Sequence, residues 1–264
     1  MRRTIGVVGG MGPWATLDFF AKVLRLTPAR RDQDHLRLVI DNNPQIPDRA
    51  LAVLEGGEDP TPALVAAART VEAAGAELIA IPCNTAHHYH SAVQAAVRVP
   101  VLHIMREVAA AAARRFPQMQ RVGLLGTRAT VATGLYQEAF RPRRTEVLVP
   151  DPSGQEVIDR LIGAVKAQAV DEELRATGVE VARGLVRRGA EAIILGCTEL
   201  PLVLPEEALG VPVLDSTLVL AEAAVRLATA EAALPLATVE VPLRSPEAIL
   251  PCPETPFLSP EGPE

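Results

Sequence analysis

Two cysteines occupy matching positions in a motif that the chain carries twice. The first copy runs from Gly75 through Ala76, Glu77 and an apolar stretch to Pro82, Cys83, Asn84 and Thr85. The second runs from Gly189 through Ala190, Glu191 and an apolar stretch to Gly196, Cys197, Thr198 and Glu199. Unbroken apolar runs at 78–81 and 192–195 suit strands buried on both faces of a parallel sheet. Each cysteine then stands where a strand gives way to the next segment. Asn84, Thr85 and Thr198 are small polar residues of the kind that cap a helix N-terminus. A thiol there faces free backbone N–H groups and the positive end of a helix dipole, which favour its thiolate. One thiolate facing one thiol is a general base facing a general acid. A carbon held between them loses a proton on one side and gains one on the other, so its configuration inverts. The two groups exchange roles for the opposite enantiomer.

The elements that must position these thiols are duplicated as well. Ile5–Gly9 is echoed by Val122–Gly126, and Val99–Leu102 by Val211–Leu214, in the same order as the cysteine motif. Three matches in register describe two similar halves. Apolar runs at 4–8, 36–40, 78–81 and 99–103, and again at 121–125, 146–149, 192–195 and 211–214, read as strands. Helical spacing lies between them at 15–26, 62–74, 91–97, 106–115, 130–140, 157–169, 171–187 and 217–230. This alternation predicts an α/β protein of two parallel-sheet domains related by internal duplication. Ligands bind beyond the strand C-termini in such sheets, which places the site in the cleft between the halves. The expected first lobe is 1–103 plus 215–234, its last helix returning to pack on the first, and the second lobe is 104–214. A proline-rich tail, 235–264, follows and holds Cys252.

Composition narrows the function. With 48% apolar and 22% charged residues the 264-residue chain has a globular profile, and no apolar run approaches the length of a membrane span. Gly9, Gly10, Gly12 and Pro13 interrupt the apolar start too early for a signal peptide, so a cytoplasmic location is expected. The net charge of −6 and the lack of basic runs exclude a nucleic-acid surface. An anion site must therefore be built locally, from specific cations and N–H groups. Three cysteines do not make a disulfide framework. Lysine occurs only at Lys22 and Lys166, and asparagine only at Asn42, Asn43 and Asn84. The loop 9–13 has the glycines that let backbone approach a ligand, but no phosphate-binding signature. The polar loop 41–49 reads equally well as a turn or as a wall of the site.

Four motifs together resemble the aspartate/glutamate racemase superfamily, and within it the aspartate racemases. They are Val8–Pro13, Asp41–Arg49, Pro82–His87 and Gly196–Glu199. The resemblance covers residues 1 to about 230. It implies an amino-acid racemase that uses no cofactor and no metal, commonly a homodimer, acting on a small acidic amino acid. Cys83 and Cys197 take the places of the family's catalytic pair. Asn84, Thr85 and Thr198 fall where the family holds the α-carboxylate and amino group. Arg49 and Lys166 match basic positions associated with substrate carboxylates. Met11 and Gln45 match pocket positions, and Thr127 and Glu199 complete the expected substrate-binding set. Glutamate racemases of cell-wall synthesis usually carry Asp-Ser in the first loop and Cys-Thr-His at the second cysteine. Gly-Gly-Met-Gly-Pro and Cys-Thr-Glu here disfavour a dedicated glutamate racemase.

Rival readings of the same residues are less economical. Two strand-end cysteines can simply be small core residues. A redox pair lacks a C-x-x-C motif, and a closed bridge would block the cleft. Cys83 with His87, His88 and His90 could suggest a metal, but the second copy has no histidines. These histidines read instead as covering a helix face, with His87 placed to adjust Cys83. Glu199 reads either as a helix-start carboxylate or as a helper beside Cys197.

Overall fold

A computed structural model of the chain describes residues 2–229; the expected tail and Cys252 lie outside them. The first half comprises strand β1 (Ile5–Gly9), helix α1 (Pro13–Leu26), strand β2 (Leu38–Asn42), helices α2 (Arg49–Glu55) and α3 (Thr61–Ala73), strand β3 (Leu78–Ala80) and helix α4 (His90–Ala96). Helix α5 (Ile104–Arg115) leads into strand β4 (Arg121–Leu125), helices α6 (Arg128–Ala132) and α7 (Leu135–Phe140) and strand β5 (Glu146–Leu148). Then come helices α8 (Pro152–Lys166) and α9 (Glu172–Arg187), strand β6 (Ile193–Leu195), helix α10 (Glu206–Leu209), strand β7 (Val213–Asp215) and helix α11 (Ser216–Thr229).

All strand pairs are parallel, in two sheets ordered β2-β1-β3 and β5-β4-β6-β7. The orders correspond once the isolated bridge between Ile79 and Val101 is set beside β3. The expected strand over 99–103 is reduced to that bridge. Pro100 has no N–H to donate, and the chain turns into α5 at Ile104. The Gln94 side chain takes the outward-facing groups, donating to Val99 O at 3.1 Å and accepting from Val101 N at 2.8 Å. The helix expected over 130–140 is divided at Gly134, whose φ is +67°. α8 starts earlier than expected, because Asp151 caps it by accepting from Gly154 N at 2.7 Å.

The repeated Gly-Ala-Glu has a physical reason. Gly75 and Gly189 end α3 and α9 in the left-handed region, with φ of +94° and +95°. The following alanines reach back into those helices, Ala76 N to Val71 O and Ala190 N to Leu185 O, both at 3.0 Å. The glutamates then cap the neighbouring strands: Glu77 accepts from Thr4 N at 2.8 Å, and Glu191 from Gln120 N at 2.7 Å. The motif is thus a device for turning from helix to strand in a fixed register.

One apolar layer joins the sheets. Ile5, Val7 and Leu78 of the first and Val122, Leu124 and Ile194 of the second share a buried cluster with Phe19, Met105, Tyr136, Phe140 and Leu220. α11 packs against α1 and α5, so the last helix does return to the first. Among the described residues no helix is long and apolar enough to cross a membrane.

Candidate active site

Strand ends deliver the functional side chains. Met11 follows β1, Cys83, Asn84 and Thr85 follow β3, Thr127 follows β4, and Cys197, Thr198 and Glu199 follow β6. Asp48, Arg49 and Ala50 enter from the start of α2, and Lys166 from the end of α8. All of these line one narrow cleft of about 20 Å³. An adjoining cavity of about 370 Å³ shares Met11, Asp48, Arg49, Lys166 and Glu199, and has a mainly apolar wall of Pro13, Trp14, Pro44, Ile46 and Val165. Gly10 and Gly12 also line it; a Cβ on Gly10, at φ +88°, would meet the Asn43 backbone at 2.3 Å. That close approach lets the first loop pack on the second. Gln45 is the one expected site residue outside both walls: it is exposed, and its N–H donates to Asn43 Oδ1 at 2.9 Å.

Neither cysteine begins an α-helix. 3₁₀ turns follow instead, Thr85–Tyr89 after Cys83 and Leu200–Leu202 after Cys197. Asn84 makes no capping bond, because its side chain is engaged elsewhere: its Oδ1 accepts from Tyr136 OH at 2.7 Å and its Nδ2 donates to Ser216 Oγ at 3.0 Å. Thr85 Oγ1 lies 3.1 Å from Thr127 Oγ1 and 2.9 Å from Thr130 Oγ1, linking the β3 and β4 ends.

The expected stabilisation of a Cys197 thiolate gives way to the opposite effect. The Cys197 thiol donates to Glu199 Oε2 at 3.0 Å, and Thr198 Oγ1 donates to the same oxygen at 3.4 Å. Burial, and then the Glu199 charge, push the thiol well above its ordinary range despite the opposing Lys166 ammonium. Cys197 is therefore a protonated thiol at neutral pH. Glu199, only 2% exposed, leaves Oε1 without a partner. That oxygen is 3.2 Å from where a Cβ on Gly12 would stand, and Glu199 lines both the cleft and the larger cavity.

Two cations, Arg49 and Lys166, line the same walls as this carboxylate. Arg49 Nη1 donates to Ile46 O and Pro47 O at 3.0 Å, while its buried Nε has no partner. Lys166 keeps much of its surface in solvent at the cleft mouth. Partial burial lowers its pKa, but Glu199, Cys197 and Cys83 outweigh that and hold the ammonium above the usual lysine value.

His87 does not reach the Cys83 thiol. Its Nδ1 lies 2.8 Å from the Cys83 carbonyl and its Nε2 3.3 Å from the Leu102 carbonyl. Nor does it cover an outer helix face. It is buried, with its ring centroid 5.8 Å from that of His90 and 5.2 Å from that of His103. Burial first, then His103, lower its pKa to about 3, so it is a neutral donor that fixes the Cys83 backbone. Among the described residues no group of three or more His, Cys, Asp or Glu side chains is arranged to hold a metal ion.

Several contributors escaped the sequence reading. Asp48 and Ala50 wall the cleft, and Tyr136, Ser216 and Thr130 hold its polar residues from behind. Asp48 adjoins Arg49 in a motif already singled out, whereas nothing in the sequence flags Tyr136 or Ser216. Lys22, notable only for rarity, is buried between Asp18 at 2.5 Å and Asp215 at 2.6 Å.

The family model described as Asp/Glu/Hydantoin racemase matches residues 8–224. The chain belongs to this racemase family. It is 30% identical over 228 residues to the broad specificity amino-acid racemase RacX of Bacillus subtilis, covering 84% of this chain and 96% of that protein. An aspartate racemase from Picrophilus torridus superposes with a TM-score of 0.77 at 33% identity, covering 86% of this chain and 94% of the other. An aspartate racemase homologue from Pyrococcus horikoshii gives 0.71 at 30% identity, covering 86% and 100%. A glutamate racemase from Francisella tularensis, solved with D-glutamate, shares the fold at a TM-score of 0.62 and 18% identity, covering 86% and 81%.

Proposed function

We propose that this racemase-family protein interconverts L- and D-aspartate without pyridoxal phosphate or metal, by a thiol/thiolate pair formed from Cys83 and Cys197. The observation that carries the proposal is that these two cysteines, from equivalent strand ends of the two halves, line one cleft with Arg49 and Lys166. An acidic amino acid brings two carboxylates and one ammonium. Arg49, with its unsatisfied Nε, and Lys166 answer the carboxylates; the free oxygen of Glu199 answers the ammonium. Asn84, Thr85, Thr127 and Thr198 supply hydrogen bonds around the α-carbon, and Met11 closes the apolar side.

In one direction the Cys83 thiolate removes the Cα proton while the Cys197 thiol delivers its own proton to the opposite face. The proton count is unchanged: Cys83 ends as thiol and Cys197 as thiolate. The reverse direction starts from that second state. The forward step itself leaves that state behind, so the substrate carries the proton between the two thiols and Glu199 stays a carboxylate throughout. A raised thiol pKa makes the Cys197 thiolate, once formed, the stronger base for a weakly acidic C–H.

Glutamate is the second acid this site would take. The 370 Å³ cavity with its mainly apolar wall favours, as a second reading, a wider range of side chains. Of the described residues we assign 2–103 with 215–229 to one lobe and 104–214 to the other, and place the protein in the cytoplasm as a homodimer. Among the described residues the large exposed apolar side chains are Trp14, Leu17, Ile40, Leu51 and Leu54, all in the first half, which supports a self-contact there.

The test is chiral chromatography of a panel of amino acids incubated in heavy water without added cofactor. Interconversion with deuterium entering Cα, abolished by Cys83→Ser and by Cys197→Ser, is expected. Full activity in either variant would remove the two-base mechanism, and preference for non-acidic side chains would favour the second reading.

A further inference from the structure

A continuous chain of buried hydrogen bonds runs behind the cleft and crosses from one sheet to the other. Tyr136 on α7 donates to Asn84 Oδ1 at 2.7 Å, Asn84 Nδ2 donates to Ser216 Oγ at 3.0 Å, and Ser216 Oγ donates to Leu195 O at 2.7 Å. Tyr136 and Ser216 have no exposed surface, and Asn84 is 2% exposed. Asn84 follows Cys83 directly; Leu195 is the last residue of β6, two before Cys197. Ser216 opens α11, and the preceding Asp215 is tied to Lys22.

The polarity of this chain is fixed. The Leu195 carbonyl can only accept, so the Ser216 hydrogen is committed to it and Ser216 Oγ must accept from Asn84. The phenol, pushed above its usual range chiefly by burial, stays a donor and requires an acceptor opposite. An amide offers its oxygen on one arm and two N–H groups on the other. Tyr136 and Ser216 therefore admit one of its two flip states and reject the other. In the admitted state one Nδ2 hydrogen remains unclaimed by these partners, on a residue that lines the cleft between the cysteines.

We propose that Tyr136 and Ser216 are positioning residues that lock the Asn84 amide with its spare N–H toward the substrate carboxylate. By the same bonds they hold the Cys83 loop in register with the strand that carries Cys197. This rests on the racemase reading above. A flipped amide would present an acceptor to a carboxylate, a repulsive contact in a desolvated cleft. The lock therefore selects for substrates that bring an anionic group to that corner.

Steady-state racemisation of aspartate by Tyr136→Phe and by Ser216→Ala, against the parent chain, tests this. Tyr136→Phe keeps the ring and removes only the donor. Because the carboxylate is bound alike in ground and transition states, the expected change is a KM about tenfold higher with kcat within about threefold. Ser216→Ala, which removes the lock at its other end, should move KM the same way. A merely structural role would reduce the active fraction, lowering apparent kcat at constant KM. KM within twofold of the parent in both variants, with Cys83→Ser inactive in the same assay, would overturn the positioning role alone. Interconversion by Cys83→Ser would overturn this role and the racemase mechanism together.

Discussion

The burial of His87 predicts a specific acid sensitivity. In the folded chain its pKa is about 3, against an ordinary histidine value of 6.5. A lowered histidine pKa means that, as pH falls below about 6.5, the unfolded chain takes up a proton that the native state refuses. The native state therefore loses stability progressively until pH reaches about 3, and gains nothing from this group above neutrality. Between about pH 7 and about pH 5 the loss is roughly 2 kcal/mol, since each unit of differential protonation is worth about 1.4 kcal/mol. His87→Gln retains a side-chain donor toward the Cys83 carbonyl but cannot titrate. Urea unfolding followed by circular dichroism at both pH values gives the drop for each protein. The variant should start less stable at neutral pH, by about 1 kcal/mol for an imperfect buried hydrogen bond. Its drop should be smaller than that of the parent by about 2 kcal/mol. Other carboxylates and histidines contribute to both proteins and cancel in the difference. Parallel drops would refute the claim that burial keeps His87 neutral. Because His87 grips the Cys83 carbonyl, racemase activity should fail over the same acid range.

Two further substitutions probe charges that the fold buries. Glu199→Gln removes the negative charge that helps raise the Cys197 thiol, so Cys197 should react faster with iodoacetamide at a fixed mildly alkaline pH; an unchanged or slower rate, read by peptide mass spectrometry, would contradict the assigned contact. Lys22→Met leaves Asp18 and Asp215 buried without their shared cation and should cost about 3–5 kcal/mol in urea unfolding. A loss under about 1 kcal/mol would show that the carboxylates find other compensation.

The fold was largely legible because its signals are local and repeated. Buried strands of a parallel sheet are written as short apolar runs, and the duplication wrote most of them twice. The site was legible where chemistry sits in a motif: Cys83, Cys197, Arg49, Lys166 and their neighbours do share a cleft. Failures came where a side chain's partner lies far along the chain. Asn84 looked like a helix cap because the sequence cannot show Tyr136 and Ser216 competing for its amide. The strand expected over 99–103 failed for a related reason, since Gln94 and the turn into α5 settle what its backbone does. Gln45 was placed in the pocket by its motif, yet Asn43 turns the loop so that Ile46 and Arg49 face inward instead.

The duplication explains where the two thiols are, but not why they should differ. Had the halves stayed equivalent, both cysteines would carry the same environment and neither would have a preferred starting role. Divergence after the strand end breaks that symmetry. In the first half the residues after the cysteine serve the backbone and the partner lobe: Asn84 and Thr85 reach across, and His87 clamps the Cys83 carbonyl. In the second half Glu199 turns onto the thiol itself and raises it. A two-base inversion needs one acid and one base at every instant, and two identical buried thiols lining one cleft would provide them only by chance of titration. In the proposed reaction an acidic side chain on one copy alone would set the resting assignment, with Cys197 as acid. In the proposed two-base reaction each turnover exchanges the two roles, so the reversed assignment is reached through the substrate itself.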